Sequence, residues 1–292
     1  GGASRRYGEG DVKPWRRITS SDDCREAAEV VRMTTEAGEQ GHALPQWHLG
    51  VMYDQGQGVP QSGVLAVEWY RKAADQGYAP AQHNLGVMYE HGRGGVPQSD
   101  ALAVEWYRKA ADQGHAGAQS NLGVMYEHGK GGLPQSDALA VEWYRKAADQ
   151  GLAEAQSNLG FMYEDGRGGL PQSDVLAVQW YRKAADQGLA GAQCNLGFMY
   201  ADGRGGVPQS DALAVQWYRK AADQGHSRAQ SNLGGMYKHG RGGLPQSDVL
   251  AVEWCRKAAD QGHAGAQYNL GLMYKHGRGG LPQSDVLAVE WY

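Results

Sequence analysis

Hydrophobic and polar positions return along this chain with one fixed period. The phrase Val-Glu-Trp-Tyr-Arg-Lys-Ala-Ala-Asp-Gln-Gly, with few changes, recurs every 37 residues. A period of this length predicts an array of small structural units, none able to bury its apolar face alone. Seven units fill residues 42–292, and their tryptophans are Trp69, Trp106, Trp143, Trp180, Trp217, Trp254 and Trp291. The unit boundaries are 42–77, 78–114, 115–151, 152–188, 189–225, 226–262 and 263–292, the last unit being shorter than the others.

Each unit has the pattern of two helices joined by a loop, as the second unit shows. Residues 80–91 run without a break as far as Gly92, which predicts a helix closed by a left-handed glycine. Residues 93–99 are too rich in glycine and proline for anything but a loop. Ser99 or Asp100 then offers an N-cap oxygen to a second helix.

The second helix is amphipathic. Its apolar residues fall on one side at i, i+4 and i+8 spacing, and they are Leu102, Ala103, Trp106 and Ala110. Glu105 and Lys109 are expected to form an exposed ion pair of favourable polarity. The expected core columns are those of Leu85, Met88, Tyr89 and Trp106, and Gly86 is expected to permit close approach of the two helices. Stacked pairs of this kind predict an all-α fold, an α-solenoid.

The first 41 residues differ from the units that follow. Residues 21–40 look like a degenerate second helix with a more polar outer face, which is typical of a capping helix. Residues 1–20 carry five basic side chains without helical periodicity, and they are interpreted as a disordered basic arm or linker. The chain begins without methionine and stops inside its last predicted helix, so we interpret it as part of a longer protein.

Composition narrows the class of partner. A net charge of −4 and a pI near 6.2 argue against a nucleic-acid binder, which usually carries a basic footprint. No apolar run approaches the ~20 residues needed to span a bilayer, so no membrane insertion is expected. Cys24, Cys194 and Cys255 occupy three different places in the repeat. A disulfide framework would recur in register, so a reducing compartment such as the cytoplasm is favoured.

The unit matches a known repeat family. The sequence Ala-Gln-x-Asn-Leu-Gly-x-Met-Tyr-x-x-Gly, followed by Gly-Gly-Val-Pro and Ala-x-x-Trp-Tyr-Arg-Lys-Ala-Ala-x-Gln-Gly, resembles the Sel1-like repeat, a relative of the tetratricopeptide repeat. The resemblance covers residues 42–292. It implies a right-handed superhelix whose first helices line a concave groove, in an adaptor that holds other proteins. A few secreted relatives are described as β-lactamase-like and disulfide-rich, but this chain lacks their paired cysteines.

Differences among the seven copies mark one face of the first helix. Three positions vary most, and at about 100° per residue they fall within one arc of the helix. We call these positions the variable stripe. Its members are Trp47, Val51, Asp54, His83, Val87, Glu90, Ser120, Val124, Glu127, Ser157, Phe161, Glu164, Cys194, Phe198, Ala201, Ser231, Gly235, Lys238, Tyr268, Leu272 and Lys275. On the second helix, by contrast, the exposed Arg108, Lys109, Asp112 and Gln113 are the same in every complete copy.

This contrast predicts that the variable stripe is a binding groove for a protein or an extended peptide. Its last member changes from acid through Ala201 to lysine, so the groove is expected to be negative at its N-terminal end and positive at its C-terminal end. Phe161 and Phe198, the only phenylalanines, stand in neighbouring copies at its middle, where exposed aromatics serve as anchors. The alternative is neutral drift of exposed positions.

Other chemistry finds little support in the sequence. The histidines of the repeat lie too far apart on adjacent helices to share one zinc, and no cofactor motif is present, so none is expected. Cys194 suits a small apolar filler better than a reactive thiol. The Asn84 column has two interpretations: amides that bind a peptide backbone, or amides that tie one helix to the next. Two alternatives to an adaptor stay open, namely a hydrolase acting in the groove and a spacer attached to another domain.

Overall fold

A computed structural model of the chain describes the backbone from residue 21 to residue 292 and the side chains from residue 29. The basic arm predicted over residues 1–20 lies outside the described residues. The described part contains fifteen helices and no strand. The helices are α1 Ser21–Glu39, α2 Ala43–Gln55, α3 Gly63–Asp75, α4 Ala79–His91, α5 Asp100–Asp112, α6 Ala116–His128, α7 Asp137–Asp149, α8 Ala153–Asp165, α9 Asp174–Asp186, α10 Ala190–Asp202, α11 Asp211–Asp223, α12 Ser227–His239, α13 Asp248–Ala259, α14 Ala264–Lys275 and α15 Asp285–Trp291.

Each helix packs against the next one along the chain, so the pairs form a repeat solenoid, as the period predicts. The helix ends follow from local chemistry. Ser99, one of the two candidate caps, accepts a hydrogen bond at Oγ from the Leu102 amide at 3.3 Å, and Asp100 is the first helical residue. Gly92 closes α4 with φ of 60°, in the left-handed region that favours glycine.

The core is a row of small residues around one buried tyrosine in each of the first five units, and Cys255 takes the place of the tyrosine in the sixth. Ala103, Tyr107 and Ala110 are wholly buried on the second helix and meet Leu85 and Met88 of the first. Gly86 makes room for Tyr107, because a Cβ there would lie 2.6 Å from the tyrosine ring. The close approach predicted at this glycine is therefore confirmed, and so is the burial of Leu85, Met88 and Tyr89.

Two expectations for the second helix are wrong. Trp106 is only partly buried at the edge of the core, because the centre of the buried face passes through its neighbour Tyr107. Lys109 does not pair with Glu105: its ammonium lies over the Trp106 ring, 4.0 Å from the centroid. The ring's electron-rich face attracts the cation and also covers the lysine stem.

Neighbouring units are joined by buried amides that the sequence reasoning missed. Gln82 donates from Nε2 to the Ala74 carbonyl at 3.1 Å and accepts at Oε1 from Gln113 at 2.7 Å. The same ladder recurs along the array, and its rungs between units include the bonds from Gln119 to the Ala111 carbonyl and from Gln156 to the Ala148 carbonyl, both at 3.2 Å. Each rung satisfies a buried polar group and fixes the stacking of one unit on the next.

A candidate partner-binding surface

The variable stripe lies beside the core, and its residues differ widely in exposure. Phe161 and Tyr268 are 42% and 56% exposed, and Lys275 is also exposed. Most other members are half-buried, including Trp47, Val51, Asp54, His83, Val87, Glu90, Val124, Glu127, Ser157, Glu164, Phe198, Gly235, Lys238 and Leu272.

Four stripe residues are buried, which corrects the expectation that the whole stripe is exposed. They are Ser120, Cys194, Ala201 and Ser231. The physical reason is that the first and third positions of the stripe border other elements: His83 contacts Tyr107 on the second helix and His115 at the start of the next first helix, and Glu127 contacts Tyr144 on the second helix. A small side chain at such a position is covered by its neighbours. A buried side chain offers a partner little contact area, so these four are weaker candidates than Phe161 or Tyr268.

The acidic members of the stripe are already engaged within the protein. Glu127 accepts a hydrogen bond from the Tyr144 hydroxyl at 2.7 Å and an ion pair from Arg167 at 2.8 Å. In the next unit Glu164 is held in the same way by Tyr181 and Arg204. Asp54 pairs with Arg93 at 3.1 Å, and Glu90 accepts a hydrogen bond from Tyr107 at 2.5 Å.

These arginines neutralise part of the negative charge expected at the N-terminal end. They come from the loop of the following unit, 40 residues after the glutamate in the case of Arg167 and Glu127. The pairing is not apparent from the sequence, because only stacking brings such distant residues together. One sequence feature could have indicated the pairs: a basic residue, usually arginine, occupies the same loop position in units two to seven.

The basic members at the other end have no such partners. Lys238 and Lys275 make no ion pair or side-chain hydrogen bond with the described part of the chain. The charge contrast along the stripe is therefore one between paired acids and unpaired lysines. A partner can form an ion pair with an unpaired charge without first breaking an ion pair inside the protein.

Both phenylalanines have an arginine beside the ring. The Arg167 guanidinium carbon lies 5.7 Å from the Phe161 centroid, and that of Arg228 lies 5.6 Å from the Phe198 centroid. Arg228 also donates to the Asn195 side chain at 3.4 Å. An aromatic ring flanked by a guanidinium suits an interface that combines apolar contact with orientation by charge.

The asparagine column contacts the protein itself. Nδ2 of Asn121 lies 3.3 Å from Nε2 of His83, so this amide ties its helix to the first helix of the preceding unit. Oδ1 of Asn195 accepts a hydrogen bond from Arg228 on the first helix of the following unit, at 3.4 Å. Both contacts match the second interpretation, in which the amides tie one helix to the next.

Burial favours the neutral forms of His83 and of the buried cysteines. Burial raises the pKa of the Cys194 thiol to about 11, and that of Cys255 to the same value. Burial lowers the pKa of His83 to about 4, with a smaller effect from His115, whose ring centroid is 4.7 Å away. Because a thiolate is the reactive form, these two cysteines lack the activation that a nucleophile needs.

Within residues 29–292, no group of three or more His, Cys, Asp or Glu side chains is placed to hold a metal ion. A helix with the length and apolar character to cross a bilayer is also absent from the described part.

Comparison with known proteins agrees with this geometry. The family model described as the Sel1 repeat matches residues 46–78, 79–115, 116–152, 153–189, 190–226, 227–263 and 264–292. The chain belongs to the Sel1 repeat family. Proteins with these repeats are generally protein-interaction scaffolds, and the fold is typically non-catalytic.

Two solved structures are similar in sequence as well as fold. One is c5321, a protective antigen of uropathogenic Escherichia coli, at 39% identity and a TM-score of 0.70. The match covers 90% of this chain but only 55% of that one. The other is a Sel1 repeat protein from Oxalobacter formigenes, at 32% identity and a TM-score of 0.73, covering 84% of this chain and 94% of that one. No curated protein matches the sequence.

Proposed function

We propose that this protein is a scaffold that binds a partner protein or an extended peptide along its variable stripe, and that it acts without catalysing a reaction. One observation carries the proposal: the seven copies differ in size and charge on this face, while Arg108, Lys109, Asp112 and Gln113 on the exposed side of the second helix are the same in every complete copy. The other exposed positions of that helix change only modestly, from Ala to Val or from Glu to Gln. Drift would alter both faces alike. Selection for one asymmetric partner would alter only the face that touches it.

The exposed aromatics supply the anchor. Phe161 replaces the valine found at this position in the first three copies, and the larger ring leaves 42% of the residue in solvent. An apolar ring exposed to water is less favourable than a buried one, and a partner that covered Phe161 beside Arg167 would bury this surface. Tyr268, which is 56% exposed, extends the surface toward the C-terminal units.

The test is a selection of displayed peptides on the intact chain, followed by affinity measurements on single variants. Phe161→Ala should weaken binding of the selected peptides by about ten-fold or more, as expected of an interface anchor. Val175→Ala is the matched control, because Val175 is 52% exposed on the second helix of the same unit. The control should change affinity less than about two-fold. Two results would contradict the proposal: equal losses of affinity in both variants, or selected peptides whose affinity neither variant changes.

A further inference from the structure

In the middle units, a loop arginine is clamped between two carboxylates. Arg167 donates from Nε and Nη2 to the two oxygens of Asp137 at 3.0 and 2.8 Å, and from Nη1 to Glu127 at 2.8 Å. Arg204 repeats this arrangement with Asp174 and Glu164. The fork of the guanidinium is satisfied on both sides, which is the strong geometry for an arginine–carboxylate contact.

The clamp is dismantled stepwise toward the C-terminal end. Among the described residues Arg241 forms an ion pair with Asp211 alone, because the glutamate position of the clamp is Ala201. In the next unit Lys238 takes the glutamate position, and Arg278 makes no ion pair or side-chain hydrogen bond with the described residues. Two cations therefore stand where the middle units place a cation and its carboxylate.

These two residues line one cavity of about 170 Å³. His276, Leu272 and Met273 complete its lining, so cationic groups stand beside an apolar floor. Lys275 is exposed on the same turn as His276. A pocket that collects positive charge without an internal counter-charge favours an anionic ligand.

We propose that this cavity binds a carboxylate of the partner, supplied by an acidic side chain. The carboxylate would occupy the place that Glu127 and Glu164 fill in the middle units. The inference rests on the proposed function, and it names the chemistry of the partner at the C-terminal end of the stripe. An acidic segment lying here would leave the apolar part of the partner to Phe161 and Phe198.

The protein's own geometry points to a carboxylate as the anion. In both complete clamps, Nη1 of the arginine receives a glutamate oxygen, while Nε and Nη2 are taken by the aspartate at the start of the second helix. The aspartate at that position here is Asp248. Even with Asp248 drawn to Nε and Nη2, Nη1 of Arg278 and the Lys238 ammonium would stay open to a ligand.

The first experiment measures binding of a fluorescein-labelled hexaglutamate peptide to the full chain by fluorescence anisotropy. Lys238→Gln and Arg278→Gln should each weaken it by about ten-fold. Lys130→Gln is the matched control: it removes the same charge at the same loop position as Arg278, but the residue 40 positions earlier, in the preceding unit, is the acidic Glu90. The control should bind as the unaltered chain does.

The second experiment restores the clamp. Lys238→Glu gives Arg278 an internal carboxylate again, so hexaglutamate binding should be lost while the melting temperature of the array does not fall. Hexaglutamine should not bind, and inorganic phosphate should compete poorly with hexaglutamate.

Three results would overturn the inference: absent binding of hexaglutamate at millimolar peptide, equal weakening by Lys130→Gln, or displacement by phosphate as strong as that by free hexaglutamate. The first and second would leave the scaffold function standing as long as Phe161→Ala still weakens the selected peptides. Loss of the Phe161 effect with hexaglutamate binding intact would instead contradict the scaffold proposal and keep the anion site.

Discussion

At the scale of single residues, one glycine in each first helix sets how closely the two helices of a unit approach. A Cβ at Gly160 would lie 2.8 Å from ring atoms of Tyr181 and 3.3 Å from the Ala177 carbonyl oxygen. We expect Gly160→Ala to lower the free energy of unfolding by about 1–3 kcal/mol, because the buried ring has nowhere to move. Urea denaturation followed by circular dichroism measures the change.

Gly235 is the matched control for this substitution. It lies inside helix α12, and a Cβ there would meet nothing within 4 Å. Gly235→Ala should therefore raise the free energy of unfolding, by about 0.5–1 kcal/mol, through reduced freedom of the unfolded chain. The interpretation of Gly160 as a contact point is wrong if both substitutions shift stability in the same direction.

His83 makes stability depend on pH. Its pKa is lowered from 6.5 to about 4 by burial, so between these values the unfolded chain binds a proton that the folded chain does not. Stability is full above pH 6.5 and declines as the pH falls toward 4. The contribution of His83 at pH 5 is at most about 2 kcal/mol.

Replacement by serine, the residue found in three other copies, should remove this part of the pH dependence. Urea midpoints of the unaltered chain and of His83→Ser, compared at pH 7.5 and pH 5, measure the difference. His91→Ser changes an exposed histidine of the same helix and should leave the dependence as it was. A His83→Ser chain that loses as much stability on acidification as the unaltered chain would refute the assignment.

At the scale of helices and loops, the arginine clamp couples three elements of two neighbouring units. Arg167 follows α8 and reaches back to Glu127 of α6 and Asp137 of α7. Arg167→Gln should cost about 1–2 kcal/mol of stability, since the Glu127 side chain is only 13% exposed and the contact is charge-assisted. The loss, measured by urea denaturation, should shrink at high salt because screening weakens the original ion pairs.

Lys130 provides the comparison for the clamp, because it occupies the same loop register without an ion pair among the described residues. Lys130→Gln should leave the urea midpoint almost unchanged. If it destabilises the chain as much as Arg167→Gln does, loop charge in general matters and the clamp geometry does not.

At the scale of the whole molecule, the array should tolerate loss of a complete unit. Removing residues 152–188 joins Gly151 to Leu189, the residue equivalent to Leu152, so every remaining interface keeps its register. In a linear array stability is a sum of unit and neighbour contributions, so the shortened chain should still fold, with a slightly lower melting temperature. Removal of residues 152–169 alone should abolish cooperative melting, because α9 would lose its partner helix. Circular dichroism melting curves distinguish the two.

The sequence by itself determined the period, the helix pairs, the glycine and serine caps and the place of Gly86 against the core. Those features depend on residues close together in one unit, where spacing and helix geometry are sufficient. Even so, the sequence could not tell that Tyr107 and not Trp106 fills the centre, because neighbouring residues on a helix lie within one broad apolar face.

Only the tertiary structure decided which stripe residues are free to meet a partner. Glu127 and Glu164 are held by arginines 40 residues away, whereas Lys238 and Arg278, at the same separation, have no ion-pair partner in the part of the chain that the structure describes. Cys194 and Ala201 vary among the copies as Phe161 does, yet they are buried. Variation marks a face of one helix, but exposure and charge pairing depend on the neighbouring units, and stacking alone brings those units together.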